Sequence, residues 1–415
     1  MADNQSQILP ERQLKELEKS ILDFMHTHGY TESATVFARE SNNEGFIAGP
    51  TDRHHNLLAK KWTSVIRLQR KIIELESKLS KQAAELPISK ANSLAAGEWL
   101  PRPPARTKLT QHRSPITRVR FHPQYTQLAT ASEDMTVKLW DSESGDFERT
   151  VKGHTNTVLD VAFDSKGAIM VTCSADLTLR VWDTTADYKC IRTLHGHDHC
   201  VSAVCFLGSD RLASVSRDRS IKIWDLSTGF CVKTLTGHDE WVRSVDVTSD
   251  SRLLCTASND QSVRLWDPNS GECKADMRGH TNVVETARFA PPNTYASLRR
   301  LAGLPPSTDA APGLFVVSGS RDKTLCLWDT ASAQLLHTFV GHDDWVRDFC
   351  FHPSGKTLIS VSDDKTMRIW DLATGRCSKT IPASQHFTTC IDFSSVSPLV
   401  ATGSVDTEVS LWACR

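Results

Sequence analysis

The stretch SRDRSIKIWD, Ser216–Asp225, decides the reading of this chain. After a polar turn, Ile221 and Ile223 alternate with polar neighbours and a tryptophan follows, the pattern of a short half-buried strand. The phrase occurs seven times: SEDMTVKLWD, SADLTLRVWD, SRDRSIKIWD, SNDQSVRLWD, SRDKTLCLWD, SDDKTMRIWD and SVDTEVSLWA. In every copy the tryptophan follows the aspartate by six residues. Successive tryptophans (Trp140, Trp182, Trp224, Trp266, Trp328, Trp370, Trp412) lie 42 residues apart, apart from one gap of 62. The excess of 20 falls in APPNTYASLRRLAGLPPSTDAAPG, a Pro- and Ala-rich segment that reads as a loop inside the fifth repeat.

Each unit holds several such runs divided by Gly, Asn, Asp and Ser, so it supplies about four short antiparallel strands. That period with a terminal Trp-Asp is the mark of a β-propeller blade, and the units resemble WD40 repeats. The fold expected is mainly β: a seven-bladed WD40 β-propeller, preceded by a small α-helical LisH dimerisation motif and a coiled coil. The chain ends at Arg415, just past the third strand of the last repeat. RTKLTQH, Arg106–His112, resembles RTLHGH and KTLTGH, and is expected to supply the missing outer strand and leave no open sheet edge.

With 415 residues the chain has room for more than one domain. A formal net charge of -1 gives no reason to expect nucleic-acid or anionic-membrane binding. The twelve cysteines form no C-x-x-C pair, as expected of free thiols in a reducing compartment. The N-terminus lacks an apolar leader and no run approaches a membrane span, so a soluble cytosolic or nuclear protein is expected, without membrane insertion.

Every repeat also carries His, Ser and Asp, for example His154, Ser174 and Asp176. Those are hydrolase-triad residue types, but the set recurs seven times in register with a tryptophan, and no G-x-S-x-G elbow is present. A polar network tying strands together explains the recurrence, with the serine relaying the indole N–H to the histidine. The first and last copies have Gln-His instead of Gly-His (Gln111-His112, Gln385-His386), so those corners are expected to be looser. HGHDH, His195–His199, could suggest a metal, but His197 is the repeat histidine; no metal, cofactor or catalytic residue is expected.

Residues that the scaffold does not require then stand out. Seven of eleven tryptophans are blade tryptophans; the others are Trp62, Trp99, Trp241 and Trp345. GHDEWVRSV and GHDDWVRDF place Trp241 with Arg243 and Trp345 with Arg347, whereas GHTNTVLDV, GHDHCVSAV and GHTNVVETA have Thr157, Cys200 and Val283 in the tryptophan's place. Beside the repeat aspartates stand Arg217, Arg219, Arg321, Lys323 and Lys365. These nine residues map to one sector of one face, over blades three to six. Aromatic and arginine side chains together suit a protein-binding hot spot, and the cations call for an acidic partner. The insertion falls on the opposite face.

Upstream, Leu14, Leu17, Ile21 and Phe24 share a helical face, Gly29 ends the helix, and Thr31 is the expected cap of a second helix bearing Phe37. Gly29-Tyr30 and Phe37 resemble the LisH dimerisation motif. Next, Val65, Ile72 and Leu79 fall at a positions and Leu68 and Leu75 at d, a heptad suited to a two-stranded parallel coil. The expected domains are residues 8–41 (LisH), 52–85 (coiled coil), 86–105 (linker) and 106–415 (propeller).

This order, with KKWTSVIRLQRK, EWLPRPP, HRSPITRV, GDFERTVKGHT and the terminal CR, resembles the lissencephaly/nuclear distribution (NudF) family over essentially the whole chain. The resemblance implies a non-enzymatic homodimeric regulator of cytoplasmic dynein, whose propeller face contacts the motor domain and controls microtubule attachment. It also implies NudE-type coiled-coil partners, roles in nuclear migration and spindle positioning, and a place on the cytoplasmic cytoskeleton, at microtubules and the centrosome or spindle pole. The family's motor-binding residues fall on Arg217, Arg321 and Trp345. One departure is Asp239, where relatives often carry a basic residue. A general WD40 adaptor, such as a ubiquitin-ligase substrate receptor, is the alternative.

Overall fold

The computed structural model describes residues 11–41, 43, 46, 99–306 and 311–414. The chain divides into two compact units, Met1–Ala95 and Ala96–Arg415. The expected coiled coil, with Val65, Leu68, Ile72, Leu75 and Leu79, lies outside the described residues, as does the expected linker up to residue 98.

The larger unit is seven four-stranded antiparallel sheets. Blade four is typical, with Val242–Val247 innermost, then Leu254–Ser258, Ser262–Trp266 and Cys273–Arg278. Every residue of its second and third strands is buried, because neighbouring blades cover both faces. The core is therefore a set of layers between blades. One joins Cys255, Ala257, Val263 and Leu265 of blade four to Ala287, Phe289, Val316 and Trp328 of blade five. Each buried large side chain in such a layer contributes about 1.5–3 kcal/mol.

The ring closes as expected: Thr107–Leu109 pairs antiparallel with Val409–Ala413, Thr107 opposite Leu411 and Leu109 opposite Val409. Closure begins earlier in the chain than anticipated. Trp99, Leu100 and Ala105 pack on the layer between blades six and seven, and Pro101 bridges Cys414. His352 Nε2 donates to the Trp99 carbonyl at 3.0 Å. Residues 99–105, read from sequence as linker, are thus part of the propeller, anchored by the apolar residues of EWLPRPP. They join at the end of the inner strands, away from the turns that hold the repeat aspartates.

The insertion is more than a loop. Within it lies a helix, here α3, Tyr295–Leu301, following a single turn at Pro292–Thr294. Tyr295 and Leu298 are buried against Phe315, Phe339 and Trp370 of blades five and six. Asn293 donates to the Pro353 carbonyl at 2.8 Å, and Ser297 to that of Gly355 at 3.3 Å. Gly355 has φ +69°, and a Cβ there would meet the Asn293 carbonyl oxygen at 2.3 Å, so only glycine suits the contact.

The smaller unit contains α1, Glu11–Thr27, and α2, Thr31–Glu40. Gly29 ends α1 with φ +83°, and the Tyr30 N–H closes on the Met25 carbonyl at 2.9 Å. Thr31 is not the cap: it is the first helical residue, and Tyr30 precedes it without a side-chain cap bond. Leu22 and Ala34 are fully buried, whereas Leu17 and Tyr30 are exposed and Ile21, Phe24 and Phe37 half-buried.

Candidate functional site: the tryptophan and arginine face

The face is held up by a repeated hydrogen-bond chain. In blade four Trp266 Nε1 donates to Thr256 Oγ1 (2.9 Å), whose hydroxyl reaches His238 Nε2 (2.7 Å), and His238 Nδ1 meets Asp260 Oδ2 (2.8 Å). The Asp260 carboxylate also accepts from the Ser262 N–H at 3.0 Å and so shapes the turn. The relay is thus the strand residue two before the serine expected from sequence. In blade two it is Thr172, at 2.7 Å from His154 and 2.9 Å from Trp182, while Ser174 binds the Asp176 N–H and the Asn156 carbonyl. The arrangement places no nucleophile on a surface; its hydroxyl is buried between two rings.

The two Gln-His corners differ. His112 completes its chain to Asp134 at 2.7 Å and Thr130 at 2.8 Å, so the first corner is as tight as the Gly-His ones, against expectation. In blade seven Trp412 still donates to Thr402 at 2.9 Å, but His386 is exposed and outside the chain. In HGHDH, His197 is engaged by Asp218 and Ser214 at 2.7 Å, and His199 lies beside Trp241, ring centroids 6.3 Å apart. Among the described residues no group of three or more His, Cys, Asp or Glu could hold a metal.

The residues flanking each aspartate project from this face. Arg219, Lys323 and Lys365 follow it at φ +69°, +71° and +68° and are exposed. Arg219 Nη1 donates to the Asp239 carbonyl at 3.2 Å, and Lys323 and Lys365 have no ion pair among the described residues. The half-buried tryptophans are stacked by arginines of the preceding blade. Arg217 lies 4.3 Å from the Trp241 ring centroid, and Arg321 4.2 Å from that of Trp345. Of the arginines two residues beyond each tryptophan, only Arg347 approaches its ring, 4.9 Å from Trp345. Arg243 turns instead to Asn259 and to Glu285, 3.2 Å away.

Glu285 is the residue that sequence reasoning passed over. It accepts from Arg243 at 3.2 Å, Arg321 at 2.5 Å and Arg347 at 3.4 Å, while Asp363 takes both Nε and Nη2 of Arg347 at 2.8 and 2.6 Å. The sector therefore has more carboxylate than was expected, and it is buried. Burial, reinforced by repulsion from Arg321, Arg217 and Arg347, holds Arg243 below its ordinary value against the attraction of Glu285. Arg347 stays above its own, since Asp363 and Glu285 outweigh burial. Placing each repeat in register would have found Glu285 in GHTNVVETA, at the position of Arg243 and Arg347.

Trp241, Arg217, Arg243, Glu285 and Arg347 form one wall of a cavity of about 390 Å³ at the mouth of the central channel; Pro115, Glu133, Leu159 and Val405 line the other. Below it Arg118 spans the channel to Asp160 and Asp348, 2.7 Å each, and Arg288 reaches Asp348 at 2.8 Å. Asp348 also accepts the Ile391 N–H at 3.3 Å, so the buried ions fasten blades to one another and hold the rim still.

Comparison with known proteins agrees with this architecture. The WD domain, G-beta repeat family matches residues 104–141, 145–183, 188–225, 229–267, 271–329, 333–371 and 375–413. The PAC1 LisH domain family matches residues 11–46. Nuclear distribution protein PAC1 of Coccidioides posadasii (strain C735) is 46% identical over 93% of this chain and 86% of its own length. Nuclear distribution protein nudF of Aspergillus niger (strain ATCC MYA-4892 / CBS 513.88 / FGSC A1513) is 40% identical, covering 94% and 90%. Nuclear distribution protein PAC1 of Arthroderma benhamiae (strain ATCC MYA-4681 / CBS 112371) is 43% identical, covering 93% and 88%. With a LisH region, seven WD repeats and such relatives along most of its length, the chain belongs to the PAC1/NudF family of nuclear distribution proteins.

Proposed function

We propose that this protein is a non-catalytic, homodimeric regulator of the cytoplasmic dynein motor. Its propeller binds the motor domain through the face of Arg217, Arg219, Trp241, Arg243, Arg321, Lys323, Trp345, Arg347 and Lys365. By holding one motor conformation more tightly than another it controls microtubule attachment, and so nuclear migration and spindle positioning. Dimerisation runs through Leu17, Ile21, Phe24, Tyr30 and Phe37 and a coil at residues 52–85, and NudE-type coiled-coil proteins are further partners. It works on the cytoplasmic cytoskeleton, at microtubules and the centrosome or spindle pole.

The observation that carries this reading is the pair of arginine-stacked tryptophans on one face, beside Lys323 and Lys365, which are exposed and have no ion pair among the described residues. An acidic protein surface is the partner such a face selects. The stacking also refines the role of the rings: each tryptophan holds an arginine of the preceding blade over its face, from where the guanidinium can donate to a partner's carboxylate. Equilibrium binding of purified dynein motor domain to the full chain tests it. Trp345→Ala, at an unchanged melting temperature, is expected to weaken binding by about tenfold, or 1.4 kcal/mol. Binding that is unchanged in the variant would refute the face; a wild type that does not bind would favour the adaptor reading.

A further inference from the structure

One carboxylate, Glu285, sits among three arginines of the face. The same rim position is arginine in blades four and six, and uncharged in blades one, two, three and seven. Its side chain is 9% exposed. The three arginines do not depend on it equally. Arg347 keeps both bonds to Asp363 without it, and Arg243 keeps Asn259. Arg321 has Glu285 as its one carboxylate among the described residues, 2.5 Å from Nε, and lies over the Trp345 ring. The Trp345 ring and the bond to Glu285 together fix where the guanidinium lies. With Nε engaged by Glu285, the two Nη groups are left as a fork of the shape that takes a carboxylate through two hydrogen bonds.

We propose that Glu285 is a positioning residue for partner binding: it makes no contact with the partner but orients Arg321 to read a carboxylate on an acidic partner segment. This rests on the reading of the face given above. Two effects oppose each other when Glu285 is changed. Loss of its charge makes the face more positive, which favours an acidic partner. Loss of its bond releases Arg321, whose fork must then be ordered on binding. On this proposal orientation prevails, and the sign of the change in affinity distinguishes the two effects.

The experiment compares the full chain with Glu285→Gln, Glu285→Asp, Arg321→Ala and the double variant Glu285→Gln/Arg321→Ala, binding purified motor domain at physiological salt. Glu285→Gln is expected to bind about fivefold more weakly despite the loss of a negative charge, and the double variant no worse than Arg321→Ala. Glu285→Asp keeps the charge and withdraws the carboxylate, so it also loses affinity and serves if the Gln variant folds poorly. Tighter binding by Glu285→Gln, unchanged binding by Glu285→Asp, or additive losses would each overturn the proposal. A second readout needs no partner. In 5-fluorotryptophan-labelled chain the Trp345 resonance, assigned with Trp345→Phe, is expected to move in Glu285→Gln as Arg321 leaves the ring, and a fixed resonance overturns the proposal. If wild type fails to bind the motor domain, the reading of the face falls, and the fluorine shift still decides whether Glu285 orients Arg321.

Discussion

Thr256→Val separates the parts of the blade network. The substitution is nearly isosteric and removes one hydroxyl, which is fully buried and bonded to Trp266 and His238. The change leaves the indole N–H and the imidazole Nε2 without partners inside the protein. Each buried unsatisfied group costs about 1–3 kcal/mol, so the expected loss is about 2–6 kcal/mol. Thr402→Val in blade seven deprives only Trp412, because His386 stands outside that network, and should cost about 1–3 kcal/mol. Urea unfolding of the full chain followed by tryptophan fluorescence reads the propeller, since every tryptophan except Trp62 lies in the larger unit. Equal losses in the two blades would refute the account, for they would mean that the histidine contributes nothing to the chain of bonds.

Three further outcomes follow from the same geometry. Asp176 and Asp322 are held down to about 2, the hydrogen bonds from Thr178 and His154, and from His280 and Thr324, outweighing burial. Their folded values lie below the unfolded value of about 3.9, so each contributes about 2 kcal/mol that is complete above roughly pH 4 and lost as pH falls towards 2. The urea midpoint should fall steeply between pH 4 and 2.5, less so in Asp176→Asn; a flat profile contradicts the pairing. Leu109→Ala, in the three-residue closing strand, should cost about 2–4 kcal/mol and speed amide exchange in Val409–Ala413. No change in exchange would mean that the ring does not depend on that strand. Trp345→Phe should retain more motor binding than Trp345→Ala, since a smaller ring still carries a guanidinium; equal losses would show that the indole edge touches the partner directly.

The propeller was legible because seven copies fix one another's register: an aspartate and a tryptophan six residues apart mark turn and strand unambiguously. Single positions were less legible. Thr172 and Ser174 lie on the same side of their strand, two residues apart, and sequence cannot say which hydroxyl reaches the ring. The binding sector was found by subtracting repeat residues and keeping tryptophans and cations, so Arg243 and Arg347 were picked out at the rim position while the carboxylate of Glu285, at the same position in blade five, was passed over. Arginine stacking was not legible, because Arg217 and Arg321 cross to the tryptophan of the next blade and stand far from it in sequence. The insertion helix was hidden by its prolines, although Tyr295, Leu298 and Leu301 repeat every three residues.

The closing strand has a mechanical consequence. The chain enters at the end away from the tryptophan face, and Thr107–Leu109 runs from there towards that face against Val409–Leu411. Tension on residue 99 drawn away from that face pulls along the strand axis, so the ladder bonds are sheared together and not peeled one by one. The Trp99–His352 bond and the Pro101–Cys414 bridge take the load first and spread it over blades six and seven. A ring closed by three residues is in this way arranged to resist traction from its own N-terminal side.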